Sequence, residues 1–216
     1  MSRRLVDGPD ARAEAARVLV TGGIVATPTD TVYGIAVALS TEGGIERLFA
    51  AKQRPPDKAV GLLLADAAQA PEIGVLSEAA SALAARFWPG GITLVLPRRR
   101  DRPLPAALTG GADVATVGLR VPDHDAPRAL AAAVGPLPTT SANRSGEPEA
   151  RDADELEALL GGSVDLILDG GPAHGGPAST VVDATGDRVR ILRAGAVSVD
   201  DIERCLTSAG LPGVGR

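Results

Sequence analysis

Ile24-Val25-Ala26-Thr27-Pro28-Thr29-Asp30-Thr31-Val32-Tyr33-Gly34 is a short apolar run that stops at a knot of hydroxyls and one carboxylate. Residues 24–27 read as a buried strand, and Pro28 closes it. A strand that ends on Pro-Thr-Asp-Thr puts polar side chains just beyond its last residue, where open α/β sheets bind their ligands. About twenty residues on comes Lys52-Gln53-Arg54-Pro55-Pro56-Asp57-Lys58, three cations around a Pro-Pro turn. Hydroxyls beside a basic loop suggest a small polar substrate next to a polyanion, most simply a nucleotide.

Outward from this stretch, apolar runs of four to seven residues alternate with alanine-rich helical stretches. Helices are expected over 10–21, with Asp10 as N-cap, and over 42–53, where Ile45, Leu48 and Phe49 share a face. Others are expected over 77–88 behind Ser77, over 126–134, over 152–160 behind Asp152, and over 199–209 behind Ser198. Strands are expected at 60–64, 92–96, 115–121, 137–139, 164–168, 180–183 and 189–192, and 32–39 continues as an extended segment. Strands and helices alternate, but the last strands follow one another directly. That predicts an α/β fold with a mixed sheet. Arg98-Arg99-Arg100-Asp101-Arg102-Pro103 and Gly110-Gly111 read as a mobile loop, and residues 211–216 as a frayed tail.

The 216 residues make one domain over 1–216 the default, with two small ones possible, and at this size a core needs no staple. Aromatics make up 2% of the chain, so the core must be Ala, Val, Leu and Ile, and base stacking is a weak option. The formal net charge of −5 lacks the basic surplus of a protein that grips nucleic-acid phosphates, although a local patch is compatible with it. One cysteine, Cys205, excludes disulfides within the chain and reads as a small apolar residue on the last helix. There is no apolar signal region and no membrane-length apolar run, which points to a soluble, cytoplasmic setting. No P-loop, Gly-x-Gly-x-x-Gly fingerprint, nucleophile elbow or His-Glu-x-x-His helix is present. Of the two histidines, His124 reads as a surface turn residue. His174 reads as part of a glycine-rich loop near a ligand. With so few His and Cys, no protein metal site is expected.

Four further segments carry chemistry. Pro138-Thr139-Thr140-Ser141-Ala142-Asn143-Arg144-Ser145-Gly146 is dense in donors suited to a phosphate or base edge. Gly175-Gly176-Pro177-Ala178-Ser179-Thr180-Val181-Val182-Asp183 brings backbone close to a ligand before a strand begins. In Ala115-Thr116-Val117-Gly118-Leu119-Arg120-Val121-Pro122, the two-residue period puts Thr116, Gly118 and Arg120 on one strand face. An arginine there either meets a protein carboxylate or awaits an anionic ligand. In Arg190-Ile191-Leu192-Arg193-Ala194-Gly195-Ala196, Arg193 ends a strand before a glycine, a position suited to phosphate.

These blocks, in this order from about residue 24 to 198, closely resemble the YrdC/TsaC family of threonylcarbamoyl-AMP synthases. Pro-Thr-Asp-Thr-Val-Tyr-Gly with Lys-x-Arg-Pro is the most specific part. Ser-Ala-Asn-x-Ser-Gly, Ser-Thr-Val-Val-Asp and Ile-Leu-Arg-x-Gly-Ala strengthen it. The resemblance implies a twisted mixed β-sheet flanked by helices, with a large concave face, and the short, single-domain form. It implies that L-threonine, bicarbonate and ATP give threonylcarbamoyl-AMP and pyrophosphate. A separate transferase would then use the product to modify tRNA. Thr31, Arg120, Thr139 and Ser179 would bind threonine. Lys52, Arg54, Lys58, Thr116, Ser141, Asn143 and Arg193 would hold ATP. Mg²⁺ is expected with the ATP, with no tightly bound cofactor and no covalent nucleophile. One departure is that Gly61-Leu62-Leu63-Leu64 stands where some relatives carry a histidine near the threonine.

Alanine at Lys52 or Arg120 is expected to abolish turnover and leave the fold intact. A competing reading is a module for tRNA or other double-stranded RNA, using Lys52, Arg54, Lys58 and the arginines of 98–102; the net charge disfavours it. The related domain of hydrogenase-maturation carbamoyltransferases is disfavoured by the single cysteine.

Overall fold

The computed structural model describes residues 2–53, 55, 58–111, 113–173 and 176–215. Ten strands form one sheet: β1 Arg3–Val6, β2 Val25–Thr27, β3 Gly34–Ala36, β4 Gly61–Leu63, β5 Ile92–Pro97, β6 Thr116–Arg120, β7 Leu137–Ser141, β8 Leu166–Asp169, β9 Thr180–Asp183 and β10 Arg190–Arg193. Seven α-helices accompany them: α1 Pro9–Val20, α2 Gly44–Lys52, α3 Glu78–Phe87, α4 Ala106–Thr109, α5 Asp125–Val134, α6 Ala153–Leu160 and α7 Val199–Ser208. The strand order is β1-β8-β2-β3-β7-β4-β6-β5-β9-β10. Parallel pairs such as β4/β6 and β5/β9 stand beside antiparallel pairs such as β3/β7 and β5/β6, so the expected mixed sheet is what forms.

Alternation along the strands divides the core in two. Val25, Ala36, Leu63 and Leu137 pack with Ala15 and Leu19 of α1 and with Leu130 of α5. Ala26, Ile35, Leu62 and Leu119 face the other way, toward Leu48 of α2, Leu83 of α3, Leu156 of α6 and Ile202 of α7. In β5, Ile92, Leu94 and Leu96 are fully buried while Thr93, Val95 and Pro97 are only partly so, the two-residue period of a half-covered strand. Helices α1 and α5 lie against β8, β2, β4 and β7. The sheet beyond them, across β6, β5 and β9, carries the cavity described below.

Several expectations change. Gly8 is the N-cap of α1 with Pro9 in the first turn, so Asp10 sits inside the helix rather than capping it. His124 is no surface turn residue: it is half-buried and caps α5, its Nδ1 accepting from the Ala126 N–H at 3.1 Å. The segment thought mobile is tied down. Arg98 and Arg99 donate backbone N–H groups to Ala115 and Ile73, and α4 forms within it with Leu108 fully buried. Residues 211–215 are tied too: Gly215 N–H reaches the Val189 carbonyl at 2.8 Å, and Leu211 and Val214 pack on the core. Ser77, Asp152 and Ser198 cap α3, α6 and α7 as their sequences predict. Among the described residues, no helix is long and apolar enough to cross a membrane.

Candidate active site

The turn between β2 and β3 organises the site. The Thr29 hydroxyl donates to the Val32 carbonyl at 2.7 Å and accepts from the Thr31 N–H at 3.1 Å, folding residues 29–32 back on themselves. Tyr33 anchors this turn to the segment after β8. Its phenol donates to the Gly171 carbonyl at 2.7 Å and accepts from the Gly170 N–H at 3.1 Å. Burial pushes the Tyr33 pKa up to about 12. Thr31 is left buried, its hydroxyl beside Arg120.

Arg120, the last residue of β6, is 7% exposed. Nε donates to the Gly90 carbonyl at 3.0 Å and Nη2 to Asp30 Oδ1 at 2.7 Å, while Nη1 and Nη2 reach Thr31 Oγ1 at 3.2 and 3.3 Å. Of the two fates open to a strand arginine, it has therefore met a protein carboxylate. Burial pulls the guanidinium pKa down, Asp30 opposes that, and the positive charge of Arg193 adds to the fall. Pro89-Gly90-Gly91, which sequence marks only as the end of α3, supplies that carbonyl. Two cationic side chains thus sit within electrostatic reach of each other around one space.

That space is a cavity of about 350 Å³. Its lining includes Thr31, Thr116, Arg120, Thr139, Ser141, Ser179 and Arg193, seven of the eleven residues singled out from sequence. They arrive from β6, β7, β10 and the ends of β2 and β9, although more than 160 residues separate the first from the last. Arg193 donates from Nη2 to the Ser179 carbonyl at 2.8 Å and to its hydroxyl at 3.2 Å. Thr116, Gly118 and Arg120 all face the cavity, as the two-residue period predicts. Gly34, Gly61 and Gly118 bring bare backbone to the lining, and Leu62 and Leu63, from the stretch 61–64, also lie in it.

Lys52 and Asn143 stand one layer behind. Lys52 Nζ donates to Asn143 Oδ1 at 2.6 Å and to the Ser141 carbonyl. The Ser141 hydroxyl also donates to Asn143 Oδ1, at 2.7 Å, and Asn143 Nδ2 donates to the Glu147 carbonyl at 2.7 Å. Lys58 is exposed and is not part of the lining. Arg54 and His174 lie outside the described residues. Sequence reasoning missed Thr93, whose hydroxyl lies 2.9 Å from that of Ser179. The alternation of Ile92-Thr93-Leu94-Val95-Leu96 would have pointed to it, since Thr93 and Val95 fall on the face opposite three large aliphatics. Among the described residues there is no cluster of three or more His, Cys, Asp or Glu able to hold a metal ion.

A mixed sheet whose strand ends gather hydroxyls and two arginines around one cavity defines an α/β domain with a candidate ligand site. More particularly, this chain belongs to the Sua5/YciO/YrdC family, whose model, described as "Telomere recombination", matches residues 17–195. Threonylcarbamoyl-AMP synthase of Bacillus subtilis is 36% identical over 193 residues, 88% of this chain and 55% of that protein. A putative threonylcarbamoyl-AMP synthase of Mycobacterium leprae is 37% identical over 92% of this chain and 90% of its own length. The structure of P. abyssi Sua5 complexed with L-threonine superposes with a TM-score of 0.88 at 32% identity, over 100% of this chain and 62% of that one. The chain thus spans little more than half the length of the Bacillus relative and of the similarly matched Pyrococcus abyssi protein.

Proposed function

We propose that this chain is an L-threonylcarbamoyladenylate synthase. The threonine amine attacks bicarbonate carbon and forms a carbamate with loss of water. A carbamate oxygen then attacks the α-phosphorus of ATP, the bond to the β-phosphate oxygen breaks, and pyrophosphate leaves. No covalent enzyme intermediate is needed. The protein holds three reactants in line and offsets phosphate charge, and both effects are large in a preorganised site.

The observation that carries this reading is that one cavity gathers Thr31, Arg120, Thr139 and Ser179 with Thr116, Ser141 and Arg193. The first four suit an amino acid: Arg120, braced by Thr31, for its carboxylate, Ser179 and Thr139 for the carbamate end. The last three suit a nucleotide, with Lys52 and Asn143 stiffening Ser141 from behind. Lys58 and Arg54 are proposed for the triphosphate from outside the lining. A reaction on ATP implies Mg²⁺. The cavity lining offers hydroxyls, apolar groups and arginines, a set that fits phosphate and not a divalent cage, so the ion would ride on phosphates and water. A cytoplasmic setting, with a transferase that passes the carbamoyl group to tRNA, completes the proposal.

Purified protein mixed with ATP, bicarbonate and each amino acid in turn, followed by mass spectrometry, tests it. The expected result is an adenylated carbamate with threonine, about 10- to 200-fold less with serine, and less again with alanine. Equal product with all three, or none with any, overturns it. Tight, salt-sensitive tRNA binding without ATP consumption would favour the RNA-module reading instead.

A further inference from the structure

Asp30 is not part of the cavity lining, yet its carboxylate is the one ion-pair partner of Arg120 among the described residues, at 2.7 Å. The two side chains are 16% and 9% exposed, so the pair is shielded from water. The donor inventory of Arg120 is nearly used up. A guanidinium carries five N–H groups. The Nε–H goes to Gly90, the two on Nη2 to Asp30 and Thr31, and one on Nη1 to Thr31. Among the described residues, the second N–H on Nη1 has no protein acceptor.

The polarity of Thr31 follows from the same contacts. Its oxygen accepts from both Nη atoms and lies 3.1 Å from Thr29 Oγ1. Because the Thr29 hydroxyl donates to the Val32 carbonyl, Thr31 is the donor to Thr29. With its one proton on Thr29 and its lone pairs on Arg120, Thr31 has no donor left for a ligand. What remains at this end of the cavity is the second N–H on Nη1 of Arg120.

We propose that Asp30 is a positioning residue that locks Arg120 so as to present this single N–H beside the Thr31 hydroxyl. By cancelling the charge of Arg120, it also makes the amino-acid end of the cavity select a zwitterion over an inorganic polyanion. The proposal rests on the synthase reading for the identity of the ligand and deepens it: the carboxylate, not the ammonium, of the amino acid faces this spare N–H of Arg120. Without Asp30 the guanidinium keeps only its neutral partners Gly90 and Thr31, is held less firmly, and carries a full uncompensated charge. An amino-acid carboxylate then loses its fixed donor, while pyrophosphate gains a cation.

Asp30→Asn keeps an acceptor for Nη2 and removes the charge; Asp30→Ala removes both. In steady-state assays, Asp30→Ala is expected to raise the threonine KM about tenfold to a hundredfold. The ATP KM stays within about threefold, and Asp30→Asn recovers part of the loss. Both variants are expected to bind pyrophosphate about tenfold more tightly, read as product inhibition and as a larger pyrophosphate-induced rise in Tm. An unchanged threonine KM in Asp30→Ala, no recovery in Asp30→Asn, or equal pyrophosphate affinity overturns the proposal. If Asp30→Ala does not fold, the Asp30→Asn pyrophosphate titration decides alone. A chain that makes no adenylated carbamate refutes the synthase reading, whereas the pyrophosphate-induced Tm rise still decides whether Asp30 sets the charge.

Discussion

Lys52 Nζ lies 2.6 Å from Asn143 Oδ1, joining the last residue of α2 to the turn after β7. At 2% exposure the lysine is a core residue as much as a site residue. Its ammonium also meets the Ser141 carbonyl, and its own carbonyl accepts from the Ser145 N–H at 3.0 Å. The expectation that alanine here leaves the fold intact therefore changes. Lys52→Ala removes a charged donor from two acceptors, each of which keeps one other donor, and opens a void; the lost hydrogen bonds to a charged group cost about 1.5–3 kcal/mol. A fall in Tm together with loss of threonine-dependent pyrophosphate release is expected. Lys52→Met, which refills the stem's space, should recover part of the Tm and none of the activity. Full activity in either variant would remove Lys52 from the site. Arg120→Ala is expected to behave alike, because it leaves Asp30 without its partner.

Thr93 and Ser179 come together from 86 positions apart, hydroxyl to hydroxyl at 2.9 Å. Ser179 also accepts from Arg193, so Thr93 helps decide where the serine proton points. Thr93→Val keeps the shape and deletes the hydroxyl. Turnover is expected to fall about tenfold, the worth of a hydrogen bond of ~1 kcal/mol or slightly more. The Tm should move little, because Thr93 is only partly buried. Thr93→Ser should restore most of the rate. A rate unchanged in the valine variant would show that Ser179 is oriented without it.

Much of this was legible because local chemistry and tertiary environment agree. Ser77, Asp152 and Ser198 announce helices that then form, and the hydroxyl-rich strand ends mark the cavity. What escaped were features whose cause is distant. Strand β1 is not among the expected strands; it forms by pairing with β8 some 160 residues later. Helix α4 is four residues inside an arginine-rich loop, held by Leu108 reaching the core. The Asp30–Arg120 pair spans 90 positions, and no period within either segment predicts which fate the arginine meets.

His124 gives the fold a pH dependence. As the N-cap of α5 its Nδ1 must be unprotonated to accept from Ala126. Burial is the main cause holding its pKa below the ordinary value near 6.5, with Asp7 opposing. As pH falls, the unfolded chain therefore takes up this proton first. The His124 contribution is complete above about pH 6.5, declines as pH drops from there through the lower folded value, and is gone below it. The cap is worth about 1 kcal/mol. His124→Asn keeps a capping side chain that does not titrate, so its Tm should fall less between pH 7.5 and pH 5 than that of the unaltered protein. Parallel Tm profiles would mean that other groups dominate.

Two glycines separate room in the cavity from room in the fold. A Cβ on Gly195 would lie 2.1 Å from the Ala178 carbonyl and 2.6 Å from the Thr180 nitrogen, against backbone that cannot yield. Gly195→Ala must push the end of β10 away from residues 178–180, which carry Ser179. A loss of about 1–3 kcal/mol, the usual cost of overpacking, is expected together with loss of turnover. A Cβ on Gly118 would instead meet Thr93 Cγ2 at 3.6 Å and Gly61 Cα at 3.8 Å, both ordinary contacts. Gly118→Ala should leave the Tm unchanged or raise it by the small amount that a strand glycine costs. Its methyl nonetheless stands on the cavity lining between β4 and β5, where the proposed substrates would lie. Thermal melts and ATP and threonine KM values for the two variants would separate the effects. If Gly118→Ala keeps both its Tm and its KM values, the substrates do not rest on that part of the lining.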